Sequence, residues 1–195
     1  MFNNRTAIAV IGVLATSLTL AACSPGGTGA GSNPPSAPSA ATESFNNQDV
    51  TFAQAMIQHH RQAIDMAQVI LDKSGIDSRV TELAIKIKSA QGPEIDDMNS
   101  WLMAWGVSAG SASGMGHDMS GMMSKDDTAA LDAATGIDAS RLFLQHMTKH
   151  HQGAIDMAQT EVKNGKSPDS LSLARTIIKD QMAEIDVMRV ILSKL

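Results

Sequence analysis

The sequence predicts an all-α protein: a four-helix bundle built from a duplicated helical hairpin. Two observations carry this. A 17-residue stretch beginning at Phe52 (FAQAMIQHHRQAIDMAQ) is nearly copied from Phe143 (FLQHMTKHHQGAIDMAQ), and each copy is followed by a second matching segment, QGPEIDDM from Gln91 and QMAEIDVM from Gln181. Apolar residues also recur at helical spacing, and nothing alternates with the period of two that a half-buried strand requires.

The first helix places Phe52, Met56, His59, Ala63, Met66 and Ile70 on one face of a 100°-per-residue wheel. In the second, Leu83, Ile87, Ala90, Glu94, Met98, Trp101 and Trp105 share a face. Asn47 and Asp138 stand at equivalent N-cap positions, and Gly75 and Gly165 close the two histidine helices. Ser167-Pro168 opens the last helix with an N-cap and a proline at its first position. Pro93 falls inside the second helix and is expected to kink it.

Ahead of this domain, Arg5 and the apolar run Thr6 to Leu20 have the form of an export signal, too short to span a bilayer comfortably. The run ends in Leu20-Ala-Ala-Cys23, which resembles the lipobox of bacterial lipoproteins, a resemblance that implies cleavage before Cys23 and lipidation of its thiol. Cys23 is the sole cysteine, so no internal disulfide forms. Residues 23–44 are almost all Ser, Pro, Gly, Ala and Thr, the composition of a flexible tether. The expected organisation is therefore a signal peptide at 1–22, a tether at 23–44 and a helical domain at 45–195, anchored at the outer face of the cell membrane or in the periplasm.

Loss of Arg5 with the signal leaves 14 Lys and Arg against 20 acids, a net charge of −6. Few aromatics and an acidic balance argue against a nucleic-acid partner. The 13 methionines, against no Tyr and 4 Phe, make thioether the prevailing soft side chain.

Two groups of residues could hold a metal. Between the repeats, in a linker at about 107–126, Met115, His117, Met119, Met122 and Met123 stand among glycines and serines. Thioether sulfur is a soft, neutral donor that suits Cu(I) and serves hard cations poorly. A Met-rich low-complexity linker without metal is the plainer reading. The second group lies on the repeated helices: His59, His60, Met56 and Met66 in one copy, and His150, His151, Met147 and Met157 in the other, with His146 nearby. Histidine and methionine at this spacing can ligate Cu(I) or Cu(II). The same histidines can instead serve the core, with His59 and His150 pairing to Glu94 and Glu184, and the methionines as packing. Both readings stay open. Asp65, Asp96, Asp156 and Asp186 lie nearly opposite the apolar faces and are expected in solvent.

The repeated HHxxAIDMA, with the later QxxEIxxM, resembles the DUF305 family of exported bacterial proteins over about residues 45 to 195. That resemblance implies a ferritin-like helical bundle and, for some members, copper binding. The expected function is an extracytoplasmic copper-binding lipoprotein that sequesters or buffers copper, favouring Cu(I), with Cu(II) as the other accessible state. Its partners are then the metal ion and, through Cys23, the membrane; self-association is left open. A di-iron or di-manganese ferritin-like oxidoreductase is the alternative, but only Glu94 and Glu184 face inward, and neither is followed by His three positions on. A metal-free interaction or stress module is a third. No catalytic motif for nucleophilic, phosphoryl or zinc chemistry is present, so no enzymatic activity is expected.

Overall fold

The computed structural model describes residues 44–109 and 120–195, and all regular structure among them is helical. The signal, Cys23, nearly all of the tether, Met115, His117 and Met119 lie outside the described residues. Five helices occur among the described residues: α1 (Asn47–Leu71), α2 (Ser78–Ala104), α3 (Lys125–Ala133), α4 (Gly136–Asn164) and α5 (Pro168–Leu192). Helices α1 and α2 pack as one hairpin, α4 and α5 as another, and the hairpins join chiefly through α1 against α4. No helix among the described residues is long and apolar enough to cross a membrane.

The fifth helix is the first departure from the expected four. Ser124 caps α3 by accepting from the Asp127 backbone N–H, while Asp127 accepts from the Ser124 N–H in return. A single leucine, Leu131, is its buried anchor. One apolar residue gives no periodicity to detect. The linker therefore ends earlier than expected, with Lys125 and Asp126 already helical.

Local signals placed the remaining ends with small errors. The α1 cap is Asn46 rather than Asn47: its side chain accepts from the N–H groups of Gln48 and Asp49, and Asp49 accepts from the Asn46 N–H. The α4 cap is Thr135 rather than Asp138, which instead sits in the first turn, where a carboxylate suits the helix dipole. Gly165 does cap α4, but α1 ends on Asp72, and Gly75, at φ +73°, serves the turn that follows. Ser167 and Pro168 open α5, and Pro93 lies within α2, as expected.

The α2 face is also corrected. Its buried residues are Val80, Leu83, Ala84, Ile87, Gln91, Met98 and Leu102, whereas Ala90 is exposed and both tryptophans are only half-buried. Buried positions spaced alternately by three and four follow a 3.5-residue period, so a fixed 100° wheel drifts off the true face along 27 residues. Phe45 stacks on Trp105 at 4.8 Å, beyond the end of the buried stripe.

The apolar core falls into two clusters. One holds Ala63–Ile70 of α1, Val80–Ile87 of α2, Phe143–Met147 of α4 and Ile185–Ile191 of α5. The other holds Phe52–Ile57, Met98 and Leu102, Ala154 and Ala158, and Ala174 and Ile177 of the same four helices. Each long helix passes from one cluster to the other, neighbouring helices in opposite senses. What lies between the clusters is polar.

Candidate metal centre

At the level between the two apolar clusters, the helices bring in His59 and His60 from α1, Gln91 from α2, His150 and His151 from α4, and Gln181 from α5, every one of them buried. Glu94 and Glu184 edge the same layer, half-buried. Six buried polar side chains across the middle of a small bundle are costly unless each finds a partner.

Some do. His60 Nε2 lies 2.7 Å from Glu94 Oε2, and His151 Nε2 lies 2.6 Å from Glu184 Oε2. The expected pairing of the glutamates with His59 and His150 is thus corrected: the second histidine of each pair takes the carboxylate. One residue along a helix turns the side chain by 100°, from the neighbouring hairpin towards the helix's own partner. Both members of each pair are fully buried, so neither lies on an exposed flank.

The first histidines meet each other instead. The rings of His59 and His150 lie 3.7 Å apart between centroids, tilted by 39°. Burial, followed by the neighbouring His60, pushes the His59 ring down to about 3. Burial and then His59 push His150 down further still. Two charged imidazoles could not share this space, so both rings are neutral at physiological pH, the form that binds metals.

His59 Nε2 reaches the carbonyl of Ser120 at 3.3 Å. Ser120–Met123, the end of the Met-rich linker, is held firmly against this layer. Gln62 clamps Met123 through two bonds, its Nε2 donating to the Met123 carbonyl at 3.1 Å and its Oε1 accepting from the Met123 N–H at 2.7 Å. Gly153 provides the room, since a Cβ there would come within 1.7 Å of the Ser120 carbonyl oxygen. Gly121, at φ +86°, turns the chain where a Cβ would meet the Lys149 carbonyl oxygen at 2.4 Å. Met123 is buried in the apolar core and Met122 half-buried, so Met123 is a core residue rather than a free linker donor.

Eight buried side-chain atoms among the described residues lack a hydrogen-bond partner, and seven belong to this layer. They are Nδ1 of His59, His60, His150 and His151, Nε2 of His150, and Oε1 of Gln91 and Gln181. The His59 carbonyl lies close enough to favour a charged His150 slightly, but not in bonding geometry. Buried polar atoms are satisfied in the great majority of cases, so such a concentration marks this layer as the candidate site. The two amide oxygens carry lone pairs, and so does each ring nitrogen that bears no proton. A cation answers that arrangement.

The layer is not a finished cage. Among the described residues, no three His, Cys, Asp or Glu side chains converge as a metal cluster. Met56 and Met147 are fully buried one turn before His59 and His150, and Met98 and Met188 are fully buried on the partner helices. Met66 is buried farther along, whereas Met157 is only half-buried. His146 is half-buried and lies near Asp127 of α3. Asp65, Asp96, Asp156 and Asp186 are exposed, as expected.

The sequence reading treated the linker and the histidines as separate places; the structure joins them at Ser120. It also passed over Gln91 and Gln181, although their recurrence in both copies was a usable signal. Gly121 and Gly153 could have hinted at a close approach. Nothing in the sequence marks Gln62.

Several solved structures share this fold. A DUF305 protein of Streptomyces coelicolor, named as a candidate secreted protein, is 31% identical, with a TM-score of 0.71 over 75% of this chain and 93% of its own. CopM in its Cu(I)-bound form is 32% identical, with a TM-score of 0.62, covering 75% of this chain and 96% of CopM. The Cu(II)-bound form of CopM matches at 34% identity and a TM-score of 0.63, over the same shares. No curated protein matches the chain significantly in sequence. The family model described as a domain of unknown function, DUF305, matches residues 49–192, and the chain belongs to that family.

Proposed function

We propose that this is an extracytoplasmic, lipid-anchored copper-binding protein that sequesters or buffers copper and catalyses no reaction. The observation that carries the reading is the polar layer: seven unpartnered buried nitrogen and oxygen atoms contributed by α1, α2, α4 and α5. The donor set is imidazole nitrogen with buried thioethers at Met56 and Met147, soft to intermediate donors that suit copper in either oxidation state. The likeness to CopM, solved with Cu(I) and with Cu(II), supports the same cargo. Because the layer is not a preformed cage, binding requires rotation of the His150 side chain, which no hydrogen bond holds. The Met115, His117, Met119 and Met122 thioethers and imidazole are a second, linker-borne seat for Cu(I). Anchoring rests on Leu20-Ala-Ala-Cys23.

A di-metal carboxylate oxidoreductase is poorly supported. Its carboxylates would have to be Glu94 and Glu184, and both are engaged by histidines.

The deciding experiment is copper stoichiometry under reducing and oxidising conditions, measured in a protein whose Met115, Met119 and Met122 are replaced by Leu. Copper retained by that variant and lost on adding His59→Gln and His150→Gln supports the layer. A full complement of copper in the combined variant refutes it. Palmitate labelling of Cys23→Ala tests the anchor, which fails as an idea if labelling persists.

A further inference from the structure

We infer that Glu94, Glu184 and the Ser120 carbonyl fix the tautomers of His60, His151 and His59, so that each ring keeps a bare, buried Nδ1 as a donor for soft cations. The inference rests on the copper reading and says which atoms would do the binding.

A neutral imidazole has one N–H and one lone pair, and the partner of one nitrogen decides which it carries. His60 Nε2 and His151 Nε2 each face a carboxylate oxygen, an acceptor only, at 2.7 and 2.6 Å. His59 Nε2 faces a backbone carbonyl, also an acceptor only. In all three rings Nε2 is therefore the donor, and in the neutral form Nδ1 carries the lone pair. All three Nδ1 atoms are buried and unpartnered. The opposite assignment would place three N–H donors in the interior without acceptors, beside Nε2 lone pairs that repel the oxygens they face. Glu94 and Glu184 keep 19% and 23% of their side-chain surface in solvent while their histidines keep none. Each carboxylate thus sits at the wet edge of the layer, while the ring it holds lies wholly inside.

This is how outer-shell groups prepare metal-ligating histidines elsewhere: a carboxylate or carbonyl takes one N–H, fixes the ring's orientation and raises the basicity of the other nitrogen. Glu94 and Glu184 are positioning residues and need not touch the ion. His150, with neither nitrogen partnered, is the one ring free to turn.

Long-range 1H–15N spectra of the 15N-labelled full-length protein at pH 8 test the assignment without any substitution. His59, His60 and His151 should each show the Nε2–H tautomer, and Ag(I), a diamagnetic soft probe, should move their Nδ1 resonances more than Nε2. An Nδ1–H or doubly protonated ring at His60 and His151 would overturn the inference and leave the copper reading standing. Absence of any Ag(I) effect on the layer rings would overturn both. The double variant Glu94→Gln, Glu184→Gln then loosens the lock, because a carboxamide can donate as well as accept. His60 and His151 should populate both tautomers, and Ag(I) affinity at the layer should fall about 10–100-fold. Unchanged affinity with the lock demonstrably lost would refute the positioning role. The variant Glu94→Asp, Glu184→Asp, which keeps the carboxylates, should hold the tautomers even if the Gln variant does not fold.

Discussion

The two hairpins, α1–α2 and α4–α5, are alike where they meet the polar layer and different where they meet the rest of the chain. The histidine–glutamate pair is the same in both, His60 with Glu94 and His151 with Glu184, to within 0.1 Å (2.7 and 2.6 Å). Each hairpin also ties down the other. Asp49, at the start of α1, accepts from the N–H of Ser167, the cap of α5, at 2.9 Å. Ser140, at the equivalent point of α4, accepts from the N–H of Asp77, the cap of α2, at 3.2 Å. Two of the differences between them bear directly on what each hairpin packs against. Gln62 of α1 corresponds to Gly153 of α4, and the segment Ser120–Met123 is gripped by the first and seated on the second. Ile70 of α1 corresponds to Glu161 of α4. Equivalence is kept at the layer and given up where one hairpin must accommodate a segment the other cannot also hold.

The cross-ties offer the largest expected effect. Asp49 accepts from the N–H groups of Asn46, Lys166 and Ser167, whereas Ser140 accepts only from Asp77. Asp49→Ala should cost about 3 kcal/mol, because buried donors are left bare, and Ser140→Ala about 1 kcal/mol. Urea denaturation of the two variants measures the ratio. Equal losses would mean that the ties are equivalent and the asymmetry is only apparent.

Next comes the seat of the linker. Gly→Ala inside a helix ordinarily stabilises by about 1 kcal/mol. At Gly153 the added Cβ would collide with the Ser120 backbone, so Gly153→Ala should instead destabilise by about 2 kcal/mol net, as overpacking does. Amide exchange at Met123 should accelerate in step as its clamp to Gln62 is released. Ordinary stabilisation by Gly153→Ala would show that the segment does not dock there.

Which parts of this were legible in sequence follows from the physics of each. The all-α class and the paired hairpins were legible because helix periodicity and the repeat are local signals. Pairing of His60 rather than His59 with Glu94 was not. The choice between adjacent residues depends on the helix's rotation against its neighbours, which only the packed bundle determines. The same limit explains Ala90 and Gln91, adjacent residues whose burial is the reverse of that expected. Helix α3 escaped because its buried face is one leucine. The burial of Met123 was hidden because a Gly/Ser/Met composition says nothing of a tertiary clamp from Gln62.

The pH response sharpens the contrast between Ile70 and Glu161. Burial, opposed by the Ser170 hydroxyl and reinforced by Asp49, pushes the Glu161 carboxyl up to about 7. Burial acts on Asp49 in the same sense, but the neighbouring Glu161 carboxyl and three backbone N–H groups outweigh it and hold that carboxyl low. A raised acid stabilises the fold fully below its unfolded value of 4.5, and that contribution is lost as pH rises towards and through 7. The depressed His59 has the opposite sign: its contribution is full above 6.5 and falls away as pH drops towards about 3. Stability should therefore decline on both sides of a maximum. Glu161→Gln removes the alkaline limb, gaining about 1 kcal/mol on the parent between pH 6 and pH 8. A difference independent of pH would show that Glu161 does not titrate in this window.

The smallest expected effect on stability separates the methionines that pack from those offered as linker donors. Met123 is buried among the apolar residues of the larger core cluster and tied at both backbone groups to Gln62. Met123→Leu keeps apolar volume but exchanges a flexible side chain for a branched one, and should cost under about 1.5 kcal/mol. It should leave copper binding intact, since its sulfur belongs to the core. Replacing Met115, Met119 and Met122 together by Leu should reverse the pattern, with melting of the apo protein nearly unchanged and Cu(I) affinity reduced. Copper titration and thermal melting of the two proteins side by side make the comparison. A loss of Cu(I) affinity in Met123→Leu as large as in the triple variant would move Met123 from the core into the binding site. An unaffected triple variant would leave the polar layer as the sole seat for copper.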